Sequence, residues 1–107
     1  MELTTDDLRS LLKGPAAAHS DDDTSFVVGR NYFIRTVTYH CTGLLVNITR
    51  SDLLLTNAAW IADSGPFAKA ISAGELSEVE PVEDMIVSRG AIVDAFSWRH
   101  ALPRERK

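Results

Sequence analysis

The sequence predicts a single mainly β domain carrying short helices, and three observations predict it. Residues 31–60 are apolar and rich in β-branched and aromatic side chains, the composition of strands. That stretch is interrupted at only two places, Thr42-Gly43 and Arg50-Ser51-Asp52, so it reads strand, bend, strand, tight turn, strand. A shorter stretch, residues 85–98, has the same character, with Arg89-Gly90 between two apolar runs. A chain of 107 residues, 45% of them hydrophobic, suits one domain with one modest core.

Residues 1–14 are expected to form a short helix. Thr4 or Thr5 caps it, Asp6 and Asp7 suit the positive end of its dipole, and Leu8, Leu11 and Leu12 share one face. Gly14-Pro15 stops it. So short a helix is marginal alone, and its leucine face is expected to dock on the main body or on a neighbouring subunit. Residues 15–25 read as a solvated acidic linker. A divalent cation at Asp21, Asp22 and Asp23 is the less economical reading, because nothing else in the run supplies ligands at fixed spacing.

The strand-rich body is expected over residues 26–98. Phe26-Val27-Val28 leads into Gly29-Arg30-Asn31, a turn or bulge signal. From Tyr32 a long strand runs to Gly43, a glycine of the kind that marks a sharp bend or bulge. Beyond it Leu44, Val46 and Ile48 face one way, and Leu45, Asn47 and Thr49 the other. Arg50-Ser51 makes the tight connection to a third strand, residues 52–57. Residues 58–62 change character, and Asp63-Ser64-Gly65-Pro66 looks like a helix start, with Asp63 or Ser64 as cap and Pro66 in the first turn. That inserted helix, about 64–74, shows Phe67, Ala70 and Ile71 on one face and ends at Gly74. Residues 75–84 are acidic and irregular, anchored by Leu76, Val79 and Val82. Two strands follow, 85–88 and 91–97, and residues 99–107 form a basic, loosely ordered tail.

A formal net charge of −4 argues against a protein held to nucleic acid by bulk positive charge. The one cysteine, Cys41, allows no internal disulfide, which favours an intracellular setting. No signal peptide is read in the acidic start, and no apolar run approaches the ~20 residues that span a bilayer. Cytoplasmic localisation without membrane association is therefore expected. Asn47-Ile48-Thr49 matches the glycosylation pattern, but in a predicted strand of such a chain it reads as coincidence.

The order helix, three bent strands, insertion, two short strands around Arg-Gly resembles the Sm/Lsm-like small β-barrel. Gly43, Leu45 and the Arg50-Ser51-Asp52 turn look like that family's first motif: a glycine in the bend of the second strand, an aliphatic residue two positions on, and a polar turn. Ile86, Arg89, Gly90 and Val93 look like its second, an aliphatic strand ending in Arg-Gly with an aliphatic residue three positions after the glycine. The family's base-reading Met-Asn pair has no counterpart after Asp52, and residues 60–84 stand where the family has a brief link. The resemblance covers about two thirds of the chain. It implies a five-stranded small β-barrel with an N-terminal helix and an inserted helix before strand 4. It also implies a ring in which strand 4 of one subunit pairs with strand 5 of the next, with Arg50, Ser51 and Asp52 close to Arg89 and Gly90 at its mouth. At whole-chain level the sequence resembles a family of small uncharacterised bacteriophage and prophage proteins, through GRNYFIRTVT, AAWIAD, RGAIVDA and a closing LPRE. That likeness implies a phage-linked setting and no particular activity.

Catalytic signals are weak. His40 and Cys41 are adjacent, so in a strand they point to opposite faces and form no local nucleophile–base pair. Cys41 reads as a small core residue and His40 as a surface or interface residue. His19 falls in the linker and His100 in the tail, with no metal-ligand spacing and no Cys-x-x-Cys. Glu75, Glu78, Glu80, Glu83 and Asp84 form a run rather than a converging pair, and no phosphate-binding glycine pattern occurs. The expectation is a non-enzyme with no catalytic residues, no metal and no cofactor. Trp60 is expected to pack the inserted helix against the sheet, and Trp98 to make an edge or subunit contact.

These readings converge on a non-enzymatic, ring-forming homo-oligomeric Sm-like binding or scaffold protein of phage or prophage origin, acting in the host bacterial cytoplasm. Its partners would be further copies of itself and another protein. The candidate subunit interface is Ile86, Val87, Ile92, Val93, Phe96 and Trp98. The alternative is a module binding RNA or a small nucleotide through Arg50, Ser51, Asp52, Arg89 and Gly90, since a flat guanidinium pairs with phosphate or stacks on a base. Against it stands the plainer role for Arg89, pairing with a neighbour's carboxylate to hold the ring.

Overall fold

A computed structural model of the chain describes residues 24–107. The expected N-terminal helix, His19 and the aspartates 21–23 lie outside the described residues. Five antiparallel strands run Asn31–Thr36 (β1), His40–Ile48 (β2), Asp52–Asp63 (β3), Glu78–Ser88 (β4) and Ile92–Ser97 (β5). One short helix, Phe67–Ala73 (α1), lies between β3 and β4, and a 3-10 turn, Arg89–Ala91, joins β4 to β5. The strands form one open sheet in the order β4-β3-β2-β1-β5, so β4 and β5 are its edges and no ladder joins them.

The single long strand expected from Tyr32 to Gly43 is instead two strands. The chain reverses at Val37-Thr38-Tyr39, and β1 pairs with β2 from Arg35↔His40 to Asn31↔Leu44. No glycine, proline, asparagine or aspartate marks this turn. The Thr36 hydroxyl does that work: it accepts the Thr38 and Tyr39 N–H groups at 3.3 and 3.0 Å and donates to the Tyr39 carbonyl at 2.7 Å. Gly43 is, as expected, a bend, and it lies inside β2, where the β2–β3 register shifts between Thr42 and Leu44. A Cβ there would stand 2.9 Å from Leu55 Cβ and 3.3 Å from Ala58 Cβ, so the close approach of β3 requires a residue without one.

The third strand does not end at Asn57; β3 continues through Trp60 to Asp63, kinked where Asn57 takes a positive φ of 49°. Residues 78–84 are likewise not irregular but the first half of β4. β4 bends in step, with Glu83 at φ 72° opposite Ala58. The inserted helix is shorter than expected, and neither Asp63 nor Ser64 caps it. Pro66 holds the cap position without a side-chain bond, while the Asp63 carboxylate accepts the Gly65 N–H at 2.8 Å. Gly74 ends the helix as expected, in the left-handed region with its N–H on the Ala70 carbonyl.

Alternation sends the apolar side chains to two clusters. Tyr32, Ile34, Cys41, Leu45, Leu53, Leu55, Ala58 and Val87 form one. Phe33, Ala59, Ile61, Val79 and Trp98 form the other, covered by Ala70 of α1 and by Leu76. Trp98, not Trp60, packs beneath the helix; Trp60 is 42% exposed. Nor is the tail loose. The Trp98 indole donates to the Ala101 carbonyl at 3.1 Å, and Leu102 packs on the second cluster. Lys107 exchanges both backbone hydrogen bonds with Val79 on β4.

Candidate functional site

Two regions gather the residues singled out in the sequence: the β2–β3 turn with the Arg-Gly turn, and the two sheet edges.

In the first region the turns meet. The Arg89 N–H donates to the Ser51 carbonyl at 2.9 Å, and its guanidinium donates to the Thr49 carbonyl at 2.6 Å. Thr49 is the hub of this corner. Its hydroxyl donates to the Asp52 carboxylate at 3.0 Å and accepts the Ser51 and Asp52 N–H groups at 3.2 and 3.0 Å, while its N–H donates to the Asp52 carbonyl at 2.9 Å. Sequence reasoning placed Thr49 as an ordinary strand residue. The readable signal was the threonine three positions before an aspartate, the pattern of a hydroxyl-closed turn. Arg50 and Ser51 are exposed, and Asp52 pairs with Ser88 across β3–β4. Gly90 is exposed too, with a negative φ and only Ser88 Oγ, at 3.8 Å, near a built Cβ. The turn therefore does not demand glycine there.

In the second region the six interface candidates separate. Ile86 on β4 and Val93 on β5 are 68% and 64% exposed. Val87 and Trp98 are buried in the chain's own clusters. Ile92 is half-buried against the first cluster. Phe96 is half-buried and meets Phe67 edge-on at 5.3 Å. Hollows flank β5. One of about 610 Å³ is lined by Ile71, Ser72, Phe96, Arg99 and His100, and one of about 390 Å³ by Phe26, Arg30, Tyr32, Ile92 and Val93. Ala95 and Ser97 line both.

The charged group beside the second edge is locked. Arg35 on β1 donates twice to Asp94 on β5, at 2.8 and 2.6 Å, and its guanidinium lies 4.7 Å from the Phe67 ring centre and 5.6 Å from that of Phe96. The Arg35 hydrogen bonds hold the Asp94 carboxyl below its ordinary range and raise Arg35 in turn. His40 meets the Phe33 ring edge-on at 5.7 Å, on the face opposite Cys41. Burial pushes the Cys41 thiol up to about 12, so at neutral pH it is an inert core group.

Among the described residues no three or more His, Cys, Asp or Glu side chains gather to hold a metal ion, and no helix is long and apolar enough to cross a membrane. In comparison with known proteins, neither a family model nor a curated sequence matches the chain.

Proposed function

We propose that the chain is a non-catalytic binding or scaffold protein with an Sm-like sheet, and that it assembles head to tail into a homo-oligomeric ring. The strand order carries this reading. β4 and β5 are opposite edges of one open sheet, and each presents an exposed aliphatic side chain, Ile86 and Val93. Long edges with exposed aliphatic residues are ready templates for strand pairing. Joining two different edges is a heterologous contact, which closes into a ring when the rotation allows. Ile86, Val93 and the half-buried Ile92 and Phe96 would carry the contact, while Val87 and Trp98 support it from within each core. The hollows flanking β5 suit alternate side chains of an incoming strand. The setting proposed, on the phage resemblance, is the host bacterial cytoplasm.

Native mass spectrometry of protein purified without nuclease treatment tests this. One symmetric stoichiometry is expected, and a monomer at micromolar concentration overturns the ring.

The meeting of the two turns favours a second reading, an RNA or small-nucleotide site at the ring mouth. Arg50 would be its principal cation, because it is exposed and makes no hydrogen bond or ion pair among the described residues. Its signature is extra mass on the oligomer that nuclease or phosphodiesterase removes, lost in Arg50→Ala with the oligomer intact. An oligomer of clean protein mass excludes it.

A further inference from the structure

We propose that residues 98–107 are an intramolecular guard strap on β4, confining strand addition on that edge to residues 83–88. The inference rests on the ring reading above and specifies how its β4 contact is limited.

The strap is bound at both ends. Trp98 is 4% exposed in the second cluster, and its N–H bonds the Asn31 carbonyl at 2.9 Å. Nine residues later Lys107 donates its N–H to the Val79 carbonyl and accepts the Val79 N–H, each at 3.0 Å. That reciprocal exchange is the hydrogen-bonded pair of an antiparallel ladder. Arg106 adds a contact to the Glu80 carboxylate at 3.2 Å. Between the ends, Leu102 packs on the second cluster and Pro103 lines a hollow with Leu76 and Val79. The strap thus runs from one sheet edge to the other. Four strand spacings are about 19 Å, and nine extended residue steps reach about 30 Å, so the span needs no strain.

The Val79 bonds also fix which way the neighbouring backbone points. The β3–β4 register is regular through Ile61↔Val79, Trp60↔Glu80 and Ala59↔Pro81. Alternate residues of a strand aim their backbone groups the same way, so Pro81, like Val79, faces the outer edge. Its missing N–H therefore falls where a further strand would need a donor. Lys107 and Pro81 together close the first half of the edge.

The guarded half ends where the strand bends, at Glu83 with its φ of 72°. Beyond the bend, no described residue pairs with the outer edge, and Ile86 stands exposed. An 11-residue edge that was free throughout would accept a partner strand in several registers. The strap leaves one short window, and with it one register. Arg106 pairs with Glu80 at 3.2 Å, and the basic Arg104 and Lys107 of the strap complement a strand that carries Glu78, Glu80, Glu83 and Asp84.

The test uses the full chain with Arg106→Glu and Lys107→Pro, which sets like charges against Glu80 and removes the Lys107 donor but leaves Trp98 and Leu102 in place. Hydrogen exchange at the Val79 amide reports strap release, with an acceleration of at least tenfold expected. Native mass spectrometry then reads assembly, and the variant is expected to spread over several stoichiometries where the unaltered chain shows one. If exchange accelerates and the stoichiometry is unchanged, the strap is only structural and the guard is overturned while the ring stands. If the unaltered chain is a monomer and the variant associates, the guard stands and the ring reading fails. If both are monomers, both fail. An unaltered exchange rate at Val79 overturns the strap itself.

Discussion

Gly43→Ala isolates the contact on which the bend of β2 depends. The added Cβ would stand 2.9 Å from Leu55 Cβ, 3.2 Å from Leu55 Cδ1 and 3.3 Å from Ala58 Cβ. Carbon atoms rest at about 3.5–4.0 Å, so the tightest contact must open by more than about 0.5 Å. Leu55 Cβ and Ala58 Cβ are fixed to the β3 backbone, so the strand itself has to move and no rotamer change relieves the clash. The φ of Gly43 is not positive, so alanine adds no backbone strain and gains about 0.4–1 kcal/mol through the unfolded chain. Overpacking costs about 1–3 kcal/mol, and a clash with two backbone-fixed Cβ atoms belongs to the upper half of that range, about 2–3 kcal/mol, which leaves a net loss of about 1–2.5 kcal/mol. For a domain of this size that lowers Tm by about 5–15 °C. Urea unfolding of Gly43→Ala, Leu55→Ala and the double variant measures it. Leu55→Ala removes the Cδ1 contact but keeps the Cβ at 2.9 Å, so it is expected not to rescue the glycine change. Stability of Gly43→Ala within about 0.5 kcal/mol of the unaltered chain, or full rescue by Leu55→Ala, refutes the packing argument.

Gly90→Ala is the contrast: with only Ser88 Oγ near the added Cβ, at an unstrained 3.8 Å, and a negative φ, it is expected to stay within about 0.5 kcal/mol in the same unfolding assay. Thr36→Val keeps the shape of a buried side chain but orphans the Thr38 and Tyr39 N–H groups, a loss of about 1–3 kcal/mol in urea unfolding. Cys41, at about 12 when folded, is expected to react with a thiol reagent at pH 8 about a thousandfold more slowly than the unfolded chain, whose thiol titrates near 8.5; rapid labelling of folded protein contradicts its burial. Asp94 titrates below its ordinary value when folded, so its stabilising contribution is complete above the unfolded value of about 3.9 and is lost as pH falls through the folded one. Asp94→Asn is expected to flatten the acid limb of the stability profile, and an unchanged limb contradicts the Arg35 pairing.

The parts of the fold that were legible in the sequence are those where local chemistry and tertiary need agree. Gly43 announced a bend because only a residue without Cβ allows the approach of Leu55, and Gly74 ended the helix because the left-handed cap favours glycine. The turn at residues 37–39 was hidden because a β-branched strand residue, Thr36, supplies the bonds that turn residues usually supply. The second half of β3 and the first half of β4 were hidden for a different reason. Their alternation is carried by Ala59, Ile61 and Val79 among alanines and glutamates, and Pro81 is a residue that argues against a strand. An edge strand tolerates that proline when its nitrogen faces outward, and edge position is not written in local composition. The site divided in the same way. The proximity of residues 50–52 to Arg89 was expected, whereas Thr49 as the hub depended on hydroxyl geometry that a strand pattern conceals.

The geometry at that corner also separates the roles of its two arginines. Arg89 spends hydrogen bonds on the Thr49 and Ser51 carbonyls, which belong to the β2–β3 turn, so it ties the β4 end to that turn. The Asp52 carboxylate accepts the Thr49 hydroxyl at 3.0 Å. A ligand that recruited the Arg89 guanidinium would have to replace a bond to a backbone carbonyl and leave that oxygen to water or to itself. Among the described residues Arg50 faces no such exchange. An anionic ligand at this corner is therefore expected to depend on Arg50 first, with Arg89 acting on the shape of the turn. Binding lost in Arg89→Ala and retained in Arg50→Ala, with the same stoichiometry in both, would reverse that order and make the turn contact of Arg89 secondary to a role in recognition.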